Sequence, residues 1–302
     1  MKRLESAERI LLIGHILSMA FGLAGLLLVL PNAEFIASLP EIGKTAFRWS
    51  MAGGGVVYMT LGTAAVAIYA YRTVGLWHWL TFMLPAIFLS LSSELLGTST
   101  GFPFGHYGYL NGLGYKIAGL VPFTIPLSWF YLGFVSYLIA RAGLATQNIP
   151  NWLQNLGAIA IGAMLLTSWD FVLDPAMSQT TMPFWLWKQP GAFFGMPYQN
   201  FAGWMGTGAV FMTVATILWQ VKPVKINNSL QLPLAIYLSN FAFATIMSIG
   251  GGIYIPVLLG IVLGVIPVIT LYWLAATQTT GKEYPENTFT SEVVKVPLGV
   301  ER

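Results

Sequence analysis

Long apolar runs recur along almost the whole of this 302-residue sequence, and they constrain its fold more than any other feature. A helix needs roughly 20 apolar residues to cross a membrane core that is about 30 Å thick. Runs of that kind occur near residues 10–30, 50–70, 77–96, 120–140, 153–173, 201–219, 232–249 and 254–275. The sequence therefore predicts about eight transmembrane helices.

The composition agrees with a membrane protein. Hydrophobic residues make up 56% of the chain and charged residues only 8%, whereas a soluble domain is about a quarter charged. We predict an all-α fold, a polytopic transmembrane helical bundle over residues 1–276, followed by a polar tail over residues 277–302. Only Gly250, Gly251 and Gly252 separate the last two runs, so seven spans or a re-entrant hairpin stay open as alternatives.

The basic residues predict how the spans are oriented. With eight spans, most of the 14 lysine and arginine residues fall on the side that holds both ends of the chain. Because an excess of these residues marks cytoplasmic segments, we expect both termini to be cytoplasmic. The two long links, near residues 97–119 and 174–200, then lie together on the opposite face.

These two links are unusual because they are rich in glycine, proline and aromatic residues. Irregular backbone at membrane depth is tolerated only where protein or a cavity surrounds it. We therefore expect both links to fold back into the protein and contribute to one site. An aromatic belt at the membrane interface is the alternative.

Three acidic residues stand out by their position. Of the 11 acids, only Glu94, Asp170 and Asp174 lie within or at the end of an apolar run. An ionisable group there costs about 2.5–3.5 kcal/mol on insertion scales, which makes it a functional candidate. A structural role in helix packing is the alternative for each, and Asp174, which precedes Pro175, could instead serve a cap or turn.

Asp170 and Asp174 are four residues apart, so they share a helix face if the helix extends that far. Two carboxyl groups close together in apolar surroundings cannot both ionise without a cost, so at least one should hold a proton near neutral pH. These groups are the candidates for acid–base chemistry. Nearby aromatic and polar side chains could line the same site, although a packing role is open for each: Phe104, His106, Tyr107, Trp169, Trp185, Trp187, Asn200 and Trp204.

Several classes of function lose support from the sequence. The chain has no cysteine, and its three histidines are scattered, so thiolate and clustered-histidine metal sites are not expected. Phosphate-binding loops, dinucleotide-binding fingerprints and serine-hydrolase elbows are absent from the sequence. The formal charge of +3 gives no indication of nucleic-acid binding. Carboxylate acid–base chemistry without a cofactor is what remains.

The sequence resembles the CruF-type carotenoid 1,2-hydratase family of integral membrane proteins, most clearly over about residues 80–220. The resemblance is carried by Glu94-Leu95-Leu96-Gly97, Gly101-Phe102-Pro103-Phe104-Gly105-His106-Tyr107, Val121-Pro122-Phe123-Thr124-Ile125-Pro126, Asp170-Phe171-Val172-Leu173-Asp174-Pro175, Trp185-Leu186-Trp187 and Gly195-Met196-Pro197-Tyr198-Gln199-Asn200-Phe201-Ala202-Gly203-Trp204.

The resemblance implies that water is added across the terminal double bond of an acyclic carotenoid end, as in γ-carotene or lycopene, to give a tertiary alcohol. The substrate would come from the bilayer, and other carotenoid biosynthesis enzymes are implied partners. Asp170 or Glu94 would donate the proton, and the other carboxylate or Asp174 would orient water. A hydratase of longer, bacterioruberin-type carotenoids, a proton-coupled transporter and a carotenoid-binding protein remain alternatives.

Overall fold

A computed structural model describes residues 2–179, 182–189, 191–224, 226 and 229–281 of the chain. Within those residues, eight helical segments are long and apolar enough to cross a membrane, which confirms the predicted fold class and favours eight spans over seven. The spans are α1 (Lys2–Ala24, continued as a π-helix over Gly25–Val29), α3 (Glu41–Thr73), α4 (Gly75–Thr100), α5 (Thr124–Leu144), α6 (Asn151–Gln179), α7 (Gln199–Val221), α8 (Gln231–Gly250), and a last span built from α9 (Ile255–Gly260), a π-helix (Ile261–Val265) and α10 (Ile266–Gly281).

A short helix, α2 (Ala33–Ser38), lies between the first two spans. The last helix continues to Gly281, and the rest of the predicted polar tail lies outside the described residues.

Helices α5 and α6 form the centre of the bundle, and α1 lies at its periphery. Lipid is as apolar as a leucine side chain, so helices in a membrane associate through close packing of small residues. At Gly162 on α6, a side chain would lie 3.0 Å from the Cα atom of Tyr137 on α5. The missing side chain thus allows the two central helices to approach each other closely.

Helix α6 extends further than the apolar pattern predicted. It continues through Asp174 and Pro175 to Gln179, so Asp174 lies within the helix and not in a turn. A proline inside a membrane helix is tolerated where nearby side chains or neighbouring helices compensate for the lost backbone hydrogen bond. Asp170 and Asp174 therefore lie one helical turn apart on one face, as their spacing predicted.

The two long links meet at the same end of the bundle. Strand β1 (Tyr107–Tyr109), in the link after α4, pairs antiparallel with β4 (Trp185–Trp187), in the link after α6. Between them in sequence, β2 (Lys116–Ile117) and β3 (Val121–Pro122) form a small hairpin. We call the β1–β4 pair the ribbon. The links therefore fold onto the bundle, as predicted, and do not form a simple interfacial belt.

A buried polar network ties the peripheral helix α1 to the centre. The ring of His15 is fully buried, and its Nδ1 atom lies 2.7 Å from the backbone oxygen of Tyr58. Because a carbonyl only accepts, Nδ1 carries the proton and Nε2 accepts from the Asn240 amide at 3.0 Å. Asn240 in turn accepts from Tyr131 (3.0 Å) through its side chain and from the Trp169 indole (3.2 Å) through its backbone oxygen. This network fixes Trp169, the neighbour of Asp170.

Candidate active site

The three intramembrane acids surround one internal space, which we call the acid cavity. Glu94 comes from α4, and Asp170 and Asp174 come from α6. Ten of the predicted site residues line this cavity: Glu94, Phe104, Tyr107, Trp169, Asp170, Asp174, Trp185, Trp187, Asn200 and Trp204. His106 is the exception, because it is exposed on the link and is not part of the lining.

Glu94 is held by three hydrogen-bond donors from two other parts of the chain. The phenol groups of Tyr107 and Tyr109 both donate to its Oε2 atom, Tyr109 at 2.9 Å. The indole of Trp129, on α5, donates to Oε1 at 2.9 Å. Hydrogen bonds to an ionised acceptor are stronger than those between neutral groups. The arrangement thus suits Glu94 as a carboxylate.

Asp174 has a matching environment. The indole groups of Trp187 and Trp185 donate to its two oxygens at 2.8 and 3.1 Å. The Ser178 hydroxyl, one turn further along α6, lies 3.3 Å from Oδ1. The ribbon therefore supplies donors to both acids, because β1 binds Glu94 and β4 binds Asp174.

Asp170 is bound differently. It is 1% exposed, and the Asn200 amide donates to its Oδ2 atom at 2.7 Å. Among the described residues no donor reaches Oδ1. Asn200 lies in the first turn of α7 and also contacts the sulfur of Met196. Asp170 is thus the acid whose second oxygen is free to act on a molecule in the cavity.

The two tyrosines of β1 stay protonated over a wide pH range. Burial, reinforced by the nearby Glu94 carboxylate, raises the pKa of Tyr107 and of Tyr109 well above the usual value for a phenol. Both hydroxyls therefore keep the proton that they donate to Glu94 at neutral and mildly alkaline pH.

Four tryptophans line the cavity, and Trp129 packs behind one of them, Trp204. Trp129 and Trp204 stack with their ring centroids 4.0 Å apart and their planes inclined by 21°. Trp169 meets Trp204 edge to face at 5.9 Å. Of the described residues that line the cavity, none is lysine, arginine or histidine. Carboxyl groups and ring faces without a competing positive charge favour a cationic species in this space.

The cavity is small, with a volume of about 50 Å³. One water molecule needs a cavity volume of at least about 10–15 Å³ on the same measure. The acid cavity therefore accommodates a few waters or the end of a larger molecule. Most of the carboxylate oxygens already accept hydrogen bonds from protein donors. A metal ion would have to displace these donors, so the site is better suited to proton transfer than to metal binding.

Sequence reasoning missed several residues at this site. Trp129 binds Glu94 from the middle of an apolar run, where tryptophan is normally a packing residue and gives no separate signal. Tyr109 shares a face of β1 with Tyr107, but a three-residue strand gives too short an alternation to be recognised in the sequence. Ser178 falls in the stretch that the apolar pattern assigns to the second link, whereas the structure places it in α6.

Comparison with known proteins gives two findings. Residues 54–267 match a family described as "Carotenoid biosynthesis protein". The chain is also similar to the bisanhydrobacterioruberin hydratase of Haloarcula japonica, with 36% identity over 121 residues. That alignment covers 40% of this chain and 39% of the relative, so it spans well under half of either protein. No solved structure matches.

The family match covers more than half of the chain and includes all three acids and the ribbon. It agrees with the family resemblance that the sequence motifs indicated. The chain is an integral membrane protein that belongs to the carotenoid biosynthesis protein family.

Proposed function

We propose that the protein is a carotenoid hydratase, which adds water across the terminal C1–C2 double bond of an acyclic carotenoid end to give a tertiary alcohol. The observation that carries this proposal is the acid cavity, where three carboxyl groups and several indole rings share an enclosed space in a member of this family. The hydratase activity named for the Haloarcula japonica relative supports the same reaction type. The orientation with both termini in the cytoplasm is part of this proposal.

The reaction needs an acid, a cation-tolerant wall and a base. In our mechanism the carboxyl group of Asp170 donates its proton from Oδ1 to C2 of the double bond, and the π electrons form the new C–H bond. The positive charge develops at C1, which is tertiary, beside the rings of Trp169 and Trp204. A stable hydrogen bond from Asn200 to Oδ2 keeps the donor in place.

Water then completes the addition. It attacks C1 and forms the C–O bond, and a carboxylate removes the extra proton. Asp174, on the same face of α6 as Asp170, is our candidate for orienting this water, and Glu94 adds fixed negative charge opposite the cation. Return of the proton to Asp170 closes the cycle, so the net change is the addition of one water.

The test is to express the protein in a host that makes γ-carotene or lycopene, and to supply bisanhydrobacterioruberin to its membranes in parallel. We expect at least one pigment to become heavier by one water. In deuterated water a single deuterium should appear on the carbon next to the carbinol. Unchanged pigments in membranes that contain the folded protein would refute the hydratase, and oxygen taken from O₂ would indicate an oxygenase.

A further inference from the structure

A second, apolar space adjoins the acid cavity. This side cavity has a volume of about 40 Å³ and lies between α1 and α3, with α6, α8 and the links behind it. Its outer part is lined by Gly22 and Gly25 of the first span and by Gly54 of α3. These glycines are partly exposed, so the side cavity reaches the outer surface of the bundle.

The packing of α1 against α3 explains why the side cavity exists. At one level the helices are in close contact, since a side chain at Gly62 would lie 2.8 Å from the ring of His15. Nearer the links, a Cβ atom added at Gly22 or Gly25 would meet nothing within 4 Å. At Gly54 the nearest atom is the Ser50 hydroxyl, at 4.0 Å. The helices thus leave an apolar gap beside the site.

Three side chains separate the two cavities, and we call them the partition: Tyr58, Leu113 and Met177 line both spaces. Tyr58 is 6% exposed, and among the described residues its hydroxyl has no hydrogen-bond partner. Its displacement therefore breaks no hydrogen bond of that hydroxyl. Met177 has an unbranched, flexible side chain that adapts to irregular shapes. The rings of His15 and Phe243 pack against Tyr58, so opening the partition requires side chains to shift within the core but breaks no hydrogen bond of the Tyr58 hydroxyl.

Another opening near the acid cavity has a different lining. A groove on the outer side of Trp187 is lined by polar side chains (Ser178, Gln179, Lys188 and Gln189) together with Leu186, Trp187 and two glycines. Lys188 and the two glutamines make this groove less suited to a hydrocarbon chain than the side cavity, whose described lining residues carry no charge. The side cavity is therefore the better candidate of these two spaces for holding a polyene.

We propose that the side cavity is the entrance and binding channel for the polyene chain of the substrate. The chain enters from the bilayer between α1 and α3, passes the displaced partition, and places its end group beside Asp170. This proposal rests on the hydratase function proposed above. It also accounts for the size of the acid cavity, which accommodates the reacting end while the rest of the rod extends toward lipid.

The channel can be tested by filling it. Gly54→Leu adds a side chain where the lining has space, and Gly53→Leu is a matched control, because Gly53 is the adjacent residue, does not line the side cavity and has no atom within 4 Å of an added Cβ. Gly54→Cys is a smaller second variant, and the thiol it introduces is unique in a chain without cysteine. Each protein is assayed for hydration of the carotenoid, for hydration of a short isoprenoid with the same end group, and for carotenoid that copurifies with it.

We expect Gly54→Leu to reduce carotenoid hydration about a hundredfold, since misplacement of the reacting end by about 1 Å can have an effect of that size. The Gly53→Leu variant should hydrate carotenoid at the wild-type rate. Both leucine variants should still hydrate the short isoprenoid. Bound carotenoid should protect the Gly54→Cys thiol from reaction with a membrane-soluble maleimide. Unchanged carotenoid hydration and binding in Gly54→Leu would overturn the channel and leave a lipid acyl chain as the occupant. A wild-type protein that binds the pigment in this channel but hydrates no substrate would refute only the hydratase.

Discussion

The substitution Asp170→Asn separates a proton donor from a structural acid. The asparagine side chain has almost the same shape, and its oxygen can still accept the 2.7 Å hydrogen bond from Asn200. Its amide group replaces the oxygen that no described donor reaches, so the fold loses little. The asparagine side chain, however, has no acidic proton to donate to an alkene. We expect the rate to fall roughly 10²–10⁴-fold, the usual range for loss of a general acid, which corresponds to about 3–5 kcal/mol of activation free energy.

Asp174→Asn provides the structural contrast. Each oxygen of Asp174 accepts an indole hydrogen bond, so the amide nitrogen of an asparagine would face one indole N–H and leave it without an acceptor. An unsatisfied buried donor costs about 1–3 kcal/mol. We therefore expect Asp174→Asn to unfold at a clearly lower temperature than Asp170→Asn, although both substitutions remove one carboxyl group from the same helix.

The assay combines initial rates in isolated membranes with thermal unfolding of the purified proteins in detergent. Glu41→Gln, at an exposed acid on α3, controls for the loss of a carboxyl group elsewhere. A wild-type hydration rate in Asp170→Asn would refute Asp170 as the donor. An inactive Asp170→Asn that unfolds as early as Asp174→Asn would show that the residue acts through stability.

Three further predictions concern the groups around the acids. Tyr107→Phe removes one of the donors to Glu94, so the free energy of unfolding should fall by about 1.5–3 kcal/mol. In a double-mutant cycle, Tyr107→Phe should lower the free energy of unfolding less in a Glu94→Gln protein than in the wild type. Trp204→Leu should lower the hydration rate more than Trp204→Phe, by about one power of ten, if a ring face stabilises the cation; equal rates would exclude that role. Burial raises the pKa of Tyr107 and Tyr109 above that of a free phenol, which is about 10. Their contribution to the free energy of unfolding should therefore be constant below about pH 10. Above that pH the unfolded chain binds fewer protons than the folded protein, so the free energy of unfolding should fall. The Tyr107→Phe/Tyr109→Phe double variant should show a shallower alkaline decline in melting experiments.

Much of this fold follows from elementary rules of membrane insertion. Apolar runs predict the spans, and the basic residues predict that both links share one end, which the ribbon confirms. The cost of an acid in an apolar run points directly to Glu94, Asp170 and Asp174. These predictions succeed because each depends on local composition, and the bilayer imposes a simple length on the helices.

Other features depend on contacts between distant parts of the chain. The apolar run predicts that the fifth span ends near residue 173, but the helix continues past Pro175 to Gln179, where it packs within the bundle. The strands of the ribbon have three residues each, too few to show a clear alternation. Trp129 looks like any other core aromatic until α4 brings Glu94 within 2.9 Å of its indole.

The ribbon has a consequence for the precision of the site. Tyr107 is paired with Trp187 and Tyr109 with Trp185, so all four donors depend on one alignment of two strands. Neighbouring side chains on a strand point to opposite faces, so a slip of β4 by a single residue would turn both indoles away from Asp174 and bring Leu186 toward it. Both indole donors of Asp174 would therefore be lost together, and a small insertion on either side of β4 should remove them at once, even if the eight spans and the contact of Asn200 with Asp170 remain intact.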